Sequence, residues 1–244
     1  MLFSGHKSDK GLVRENNEDA LYVDDKAGVY ILADGMGGHE GGEIASNIAV
    51  NTIAKILSSS SMTPQNKNLE DIIHKALYTA NDAIISYRNK HIELIHMAST
   101  IVISKFHDDI ARFTHLGDSR AYLFRKHGDL IQLTVDDSLV MEMVKQGLIN
   151  KDDSRRHSLR NIVTRYIGTT NLVIPEIHQC EVGTNDCIML CSDGLTNMLT
   201  EDEIKSILGR NNSIDPQDMC NLLVDSANNN GGEDNITVIV IQNK

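Results

Sequence analysis

Positive charge is scarce in this chain: 23 Lys and Arg stand against 34 Asp and Glu in 244 residues, a formal net charge of −11. A chain without a basic field lacks the attraction that gathers a nucleic-acid backbone or an anionic lipid surface, so neither is expected as a main partner. Long apolar runs are missing too. No stretch approaches the roughly 18 uninterrupted apolar residues of a membrane span, and Met1–Lys7 carries no apolar leader core. Cysteine is sparse: Cys180, Cys187, Cys191 and Cys220 crowd the last quarter without a Cys-x-x-Cys pair. That fits neither a disulfide framework nor a zinc site, and the expectation is reduced core thiols in a cytoplasmic protein. Internal repeats are lacking, and the low-complexity passages Ser58–Ser61 and Asn228–Gly232 read as loops.

At 41% hydrophobic and 23% charged, the chain has enough apolar content for a sizeable core, which excludes disorder and leaves one domain over residues 1–244 as the leading reading. Apolar alternation predicts short strands at about 20–24 and 28–33, then at about 98–106, 110–116, 119–124, 130–133, 173–181, 186–191 and 236–241. Most are joined by only a few turn residues, which requires antiparallel pairing because a parallel crossover needs a dozen residues or more. One-sided apolar stripes from Ile44 to Leu57 and from Leu69 to Ile84 predict two long helices. Thr200-Glu201-Asp202-Glu203 reads as a capping box and Asp215-Pro216 as a second helix start. A helix at about 138–147 precedes the polar stretch Asn150–Arg160, and residues 140–165 are expected to form a flap. Paired sheets with helices outside, an α+β architecture, accommodate this mixture.

The aspartates fall at strand ends. Asp34 closes one apolar strand and precedes Gly35; Asp193 closes another and precedes Gly194; Asp118 follows Gly117 between two strands; Asp234 leads into the last strand. Any one Asp-Gly pair is ordinary turn chemistry. Several carboxylates converging on one cleft repel one another unless a cation neutralises them, and hard oxygen ligands suit Mg²⁺ or Mn²⁺ better than zinc. Glu18 and Asp19 open a further strand and extend the set. Arg14, just before them, is either a salt-bridge partner of these acids or a fork for phosphate. Metals with an arginine suit phosphoryl chemistry.

The motifs Gly11-Leu12-Val13-Arg14-Glu15-Asn16-Asn17-Glu18-Asp19, Ala33-Asp34-Gly35-Met36-Gly37-Gly38-His39, Gly117-Asp118-Ser119-Arg120, Cys191-Ser192-Asp193-Gly194-Leu195 and Glu233-Asp234-Asn235-Ile236-Thr237 resemble, in order, those of bacterial metal-dependent protein phosphatases of the type 2C class. The resemblance runs over nearly the whole chain. It implies an α-β-β-α sandwich of two antiparallel sheets and a centre of two Mn²⁺ or Mg²⁺ ions with a weaker third. It further implies that Asp34 bridges the metals, that Gly35 offers its carbonyl, and that Asp193 and Asp234 bind the first metal. Glu18 and Asp19 would contact the second metal or its waters, and Asp118 with Asp193 would hold the third. Arg14 takes the phosphate role, and the implied reaction is attack of a metal-bridging hydroxide on phosphoserine or phosphothreonine, without a cysteine nucleophile.

Some relatives carry a histidine where this chain has Met36; His39, three residues on, is the candidate to reach the leaving group, with a structural hydrogen bond as the alternative. At Asp137 the family usually has a histidine, a departure bearing on substrate fit more than on chemistry, and Asn161–Arg165 resembles a structural family segment. Arg155, Arg156, His157 and Arg160 form a small basic island suited to an anionic phosphopeptide, or are solvated loop charges. The implied partners are phosphoserine and phosphothreonine proteins and a eukaryotic-like Ser/Thr kinase that the enzyme, acting as a monomer, opposes. Two other classes compete: a metal-dependent hydrolase of another phosphoester, and a non-catalytic phosphoprotein-binding module.

Overall fold

The computed structural model describes residues 2–38, 40–59, 69–154, 157–211 and 213–244. In chain order these form β1 (Leu2–Asp9), β2 (Asp19–Asp24), β3 (Val29–Met36), α1 (Gly41–Ser59), α2 (Leu69–Arg88), β4 (Ala98–Ser99), β5 (Ile101–His107), β6 (Ile110–Leu116), β7 (Arg120–Phe124) and β8 (Leu130–Gln132). There follow α3 (Leu139–Lys145), α4 (Lys151–Ser154), β9 (His178–Glu181), β10 (Cys187–Cys191), α5 (Asp193–Met198), α6 (Glu201–Leu208), α7 (Pro216–Asn229) and β11 (Ile236–Asn243).

One sheet runs β1-β11-β10-β7-β8 and the other β2-β3-β5-β6-β9, with β4 beside β3. All the paired strands are antiparallel, and in β2–β3, β5–β6 and β7–β8 the short connections require it. Residue alternation explains the layers. In β3, Tyr30 and Leu32 point between the sheets to meet Leu190 and Ile239, while Val29, Ile31 and Ala33 point outward onto α1 and α2. In β11, Ile239 and Ile241 face inward and Val238 and Val240 meet α5, α6 and α7. All eight residues of β11 are buried, as befits a strand covered on both faces. The result is the expected α-β-β-α sandwich.

Local chemistry sets the helix ends. Thr200 and Glu203 form the expected reciprocal capping box, and Asp215 accepts from the Asp218 N–H with Pro216 behind it. Ser138 caps α3, which ends at Lys145, earlier than the apolar pattern suggests.

Three differences from the sequence reading have physical causes. The strand expected at 173–181 shrinks to β9, since Pro175 has no N–H to give to a ladder. β1 was not expected because its alternation is polar. It is an edge strand, where polar side chains are tolerated, and Gly5 lets α7 approach: a Cβ there would lie 2.3 Å from the Gln217 nitrogen. The six-residue α5 was hidden because Asp193-Gly194 reads as a turn.

Candidate active site

Most of the acids singled out in the sequence gather at one end of the sandwich. Asp19, opening β2, lies directly opposite Asp34 near the end of β3. Asp118 occupies the β6–β7 turn, Asp193 begins α5 straight after β10, and Asp234 precedes β11. A cleft of about 230 Å³ is lined by Arg14, Glu18, Asp34, Gly35, Asp118, Asp193 and Asp234 among others. Asp19 sits beneath it, buried. Glu233, which the sequence groups with these acids, is exposed and off the lining. His39, Arg155 and Arg156 lie outside the described residues.

The backbone around the cleft is tightly specified. The Asp34 N–H donates to Thr100 Oγ1 at 3.0 Å, and its carbonyl accepts from the Thr100 N–H at 2.8 Å and from Ser99 Oγ at 2.9 Å. Asn235 ties the other side together: its Oδ1 accepts from the Glu18 N–H at 2.8 Å, while Nδ2 donates to the carbonyls of Lys10 at 2.9 Å and Asn16 at 2.8 Å. Ser192 Oγ accepts from the Thr237 N–H at 2.9 Å and donates to Asp19 Oδ2 at 2.8 Å. The glycines beside the acids are there for close approach: a Cβ on Gly35 would fall 2.1 Å from the Gly42 carbonyl oxygen, and one on Gly194 2.1 Å from that of Asn235.

Crowded negative charge marks the cleft electrostatically. Burial, helped by the charges of Asp193 and Asp234 and opposed by hydrogen bonds from Thr237 and Ser192, pushes Asp19 up to about 7. Burial, then Asp193 and Asp136, pushes Asp118 up to about 8. Asp34 is held well above the carboxylate range by burial and by its acidic neighbours, led by Asp19, and Asp193 is raised by burial and then by Asp234. Glu18 is raised too, burial outweighing the pull of Arg14.

Arg14 answers part of this charge. Its Nη2 donates to Asp234 Oδ2 at 2.7 Å, and Asp234 Oδ1 accepts the N–H of Asn235 at 2.8 Å, so both oxygens of Asp234 are engaged. Of the two roles open to Arg14 from sequence, this structure displays the salt bridge. Among the described residues no three His, Cys, Asp or Glu side chains close on one point tightly enough to hold an ion unaided. The donor set nonetheless fits a hard divalent cation. Such ions keep several waters and use few protein ligands, and Asp19 Oδ1 is a buried carboxylate oxygen with no hydrogen-bond partner.

The protein phosphatase 2C family profile matches residues 12–223. The chain belongs to the protein phosphatase 2C family. It is 34% identical over 239 residues to the serine/threonine phosphatase stp of Listeria monocytogenes, covering 97% of this chain and 94% of that one. Its fold superposes on a serine/threonine phosphatase of S. agalactiae with a TM-score of 0.92 at 33% identity, over the full length of both chains. The catalytic domain of a phosphatase named PstP, solved in complex with two manganese ions, matches with a TM-score of 0.85 at 30% identity over 99% of this chain and 97% of that one. Metal dependence is therefore a property of the family to which this phosphatase 2C chain belongs.

Within that frame, several supporting residues were not singled out in the sequence. Asn235, Ser192 and Ser119 stood inside quoted motifs, but only the acids there were assigned chemistry. Thr100, which also bonds Ser119 Oγ at 2.8 Å, carried no signal in the sequence. All four cysteines are free thiols, and burial raises Cys187 to about 11 and Cys191 and Cys220 to about 12, far from the low values of a nucleophilic thiolate. A cavity of about 480 Å³ between α3, α6 and the β7–β8 strands is distinct from the acidic cleft. No helix among the described residues is long and apolar enough to cross a membrane.

Proposed function

We propose that this chain is a metal-dependent protein phosphatase that hydrolyses phosphoserine and phosphothreonine, with residues 1–244 as one catalytic domain and residues 140–165 as its flap. The observation that carries the reading is the convergence of Asp19, Asp34, Asp118, Asp193 and Asp234, each raised by burial or by its neighbours or set against Arg14, on one cleft at the strand ends. Asp34, the Gly35 carbonyl, Asp193 and Asp234 would hold two Mn²⁺ or Mg²⁺ ions, with Glu18 and Asp19 supporting the second and Asp118 a weaker third. Bound there, such ions neutralise the carboxylates, activate water and stabilise phosphoryl oxygens.

The chain's own residues do the rest. Arg14, now paired with Asp234, would present its fork to two phosphate oxygens and orient the phosphoryl group. Thr100 and Asn235 hold the Asp34 and Glu18 backbones, so these acids are positioned in advance to hold a cation. His39 is the candidate group to protonate the leaving serine or threonine oxygen. In sequence His39 directly follows Gly37 and Gly38, which line the cleft, and that adjacency supports the reading. The free buried thiols support a reducing, cytoplasmic setting. The partners are phosphoserine and phosphothreonine proteins, with a Ser/Thr kinase as the opposing enzyme, and the chain acts as a monomer. Purified protein with Mn²⁺, Mg²⁺ or chelator should release phosphate from a phosphothreonine peptide only with metal. Preference for a nucleotide or phosphodiester would point to another phosphoester, and metal-independent binding without turnover would point to a binding module.

A further inference from the structure

Asp137 is off the cleft lining, yet it ties two of the cleft's walls together. Its N–H donates to the Gly117 carbonyl at 2.9 Å, and the Gly117 N–H donates back to its Oδ2 at 3.3 Å. Its own carbonyl accepts from the Thr164 N–H at 2.8 Å. Oδ1 accepts from Arg165 Nη1 at 3.3 Å, while Arg165 Nη2 donates to the Val173 carbonyl at 3.2 Å. His115 Nε2, bonded to the Val135 carbonyl at 2.9 Å, stands 4.0 Å from Oδ2. The carboxyl is 11% exposed and the guanidinium side chain 36%, so the pair is shielded enough to matter and open enough to alter without leaving a bare buried charge.

The two tethered segments are functional neighbours. Gly117, at φ +107°, turns the chain so that Asp118 enters the cleft. Arg165 closes the segment in which Asn161 and Val163 line the cleft from the other side. The root of α3 joins the same knot, since the Leu139 N–H donates to the Ile162 carbonyl at 2.8 Å and Ser138 bridges to Val163. Asp137 thus couples the acid-bearing turn, through its carboxylate and its backbone, to the opposite wall where the flap ends. Its position one residue after Asp136, which pairs with Arg120 beneath the same turn, leaves little freedom for this connection to slide.

Resting on the phosphatase reading above, we propose that Asp137 and Arg165 form a positioning pair that sets the spacing between the Asp118 turn and the Asn161–Val163 wall. The pair thereby governs how a phosphopeptide, rather than the phosphoryl group alone, fits the cleft. A peptide must touch both walls, whereas a small aryl phosphate engages chiefly the acid side. Loosening the pair should therefore separate the two substrates.

The test uses the full chain with Mn²⁺ and the variants Asp137→Asn, Arg165→Gln and the double. Each single change should raise KM for a phosphothreonine peptide by about three- to fivefold, the size expected of a partly exposed charged pair, and the double should be no worse than the singles. Turnover of a small aryl phosphate should stay within about twofold, below that pair-sized effect. Hydrogen exchange should quicken at the Thr164 and Leu139 amides in every variant. Equal KM changes for both substrates, additive losses, unchanged exchange, or a fall in thermal midpoint without the KM split would each overturn the pair as a positioning device. Should the wild-type protein hydrolyse neither substrate, the phosphatase reading fails while the exchange measurement still decides whether the pair fixes the wall.

Discussion

Removing metal should make this protein less stable as pH rises, and the acids of the cleft say by how much. Asp19 sits at about 7 and Asp118 at about 8 in the folded chain, against about 4 when unfolded. Between those values the folded state holds protons that the unfolded state has released. Their contribution to stability is therefore complete below about pH 4 and is lost as pH climbs through the folded values. For Asp19 alone the displacement corresponds to something on the order of 4 kcal/mol. Asp118 is comparable, but neighbouring acids titrate as a set, so the terms do not add. At about 2 to 4 °C per kcal/mol for a chain of this size, the melting midpoint should fall by roughly 10 °C between pH 5 and pH 8 in chelator. A divalent cation binds the carboxylates only after their protons leave, so Mn²⁺ should raise the midpoint little at pH 5 and most at pH 8. Scanning calorimetry at four pH values, with and without Mn²⁺, measures both slopes. Asp19→Asn should flatten the chelated profile and blunt the rescue by metal. A chelated midpoint that holds or rises from pH 5 to pH 8, or a Mn²⁺ shift independent of pH, would refute the reasoning.

The remaining expectations concern single residues. Asp34→Asn and Asp193→Asn should each abolish Mn²⁺-dependent hydrolysis of a phosphothreonine peptide, and full activity in either would remove that acid from the assignment. Arg14→Gln should raise phosphopeptide KM about tenfold, the loss of a charged hydrogen bond; calorimetric titration should show Mn²⁺ binding as tightly or more tightly, because Asp234 is released from its ion pair. Gly35→Ala places a Cβ 2.1 Å from the Gly42 carbonyl oxygen, so urea unfolding should show a loss of about 2 to 3 kcal/mol, as overpacking commonly does. Asn235→Ala strips its side-chain bonds to the Glu18, Lys10 and Asn16 backbones; a comparable loss of stability should appear together with weaker Mn²⁺ binding, and a destabilised variant with unaltered metal affinity would make Asn235 purely structural.

The sandwich was legible because its strands obey a rule of two. Tyr30 and Leu32 alternate with Ile31 and Ala33 between two apolar layers, and in β2–β3, β5–β6 and β7–β8 turns of a few residues leave no route to parallel pairing. β1 escaped notice because an edge strand need not bury both faces, so Ser4, His6 and Lys7 hide its period. Pro175 cut short a strand that its apolar neighbours advertise. At the site, the acids were legible because an ion needs them at strand ends beside glycines. Their supports were not, since a serine or asparagine that satisfies backbone groups looks in sequence like any turn residue. Ser192 and Asn235 acquire meaning only when Thr237, Glu18, Lys10 and Asn16 are brought beside them from up to about 220 residues away.

The shortage of positive charge acquires a narrower sense once the cleft is in view. Asp34, Asp118, Asp193 and Asp234 surround the place where a phosphate dianion would sit, and the described cation lining it, Arg14, is committed to Asp234. Above the pH at which these acids lose their protons, the metal-free cleft would repel phosphate twice over, by its acids and by the occupation of its arginine. Two divalent ions would bring about +4, less the charge of the protons they displace, and would take over the partnership with Asp234. Metal loading and phosphate binding would in this way be coupled through one side chain. The same acid excess that disfavours a polyanion would then reserve phosphate affinity for the cleft, and only while cations are bound there.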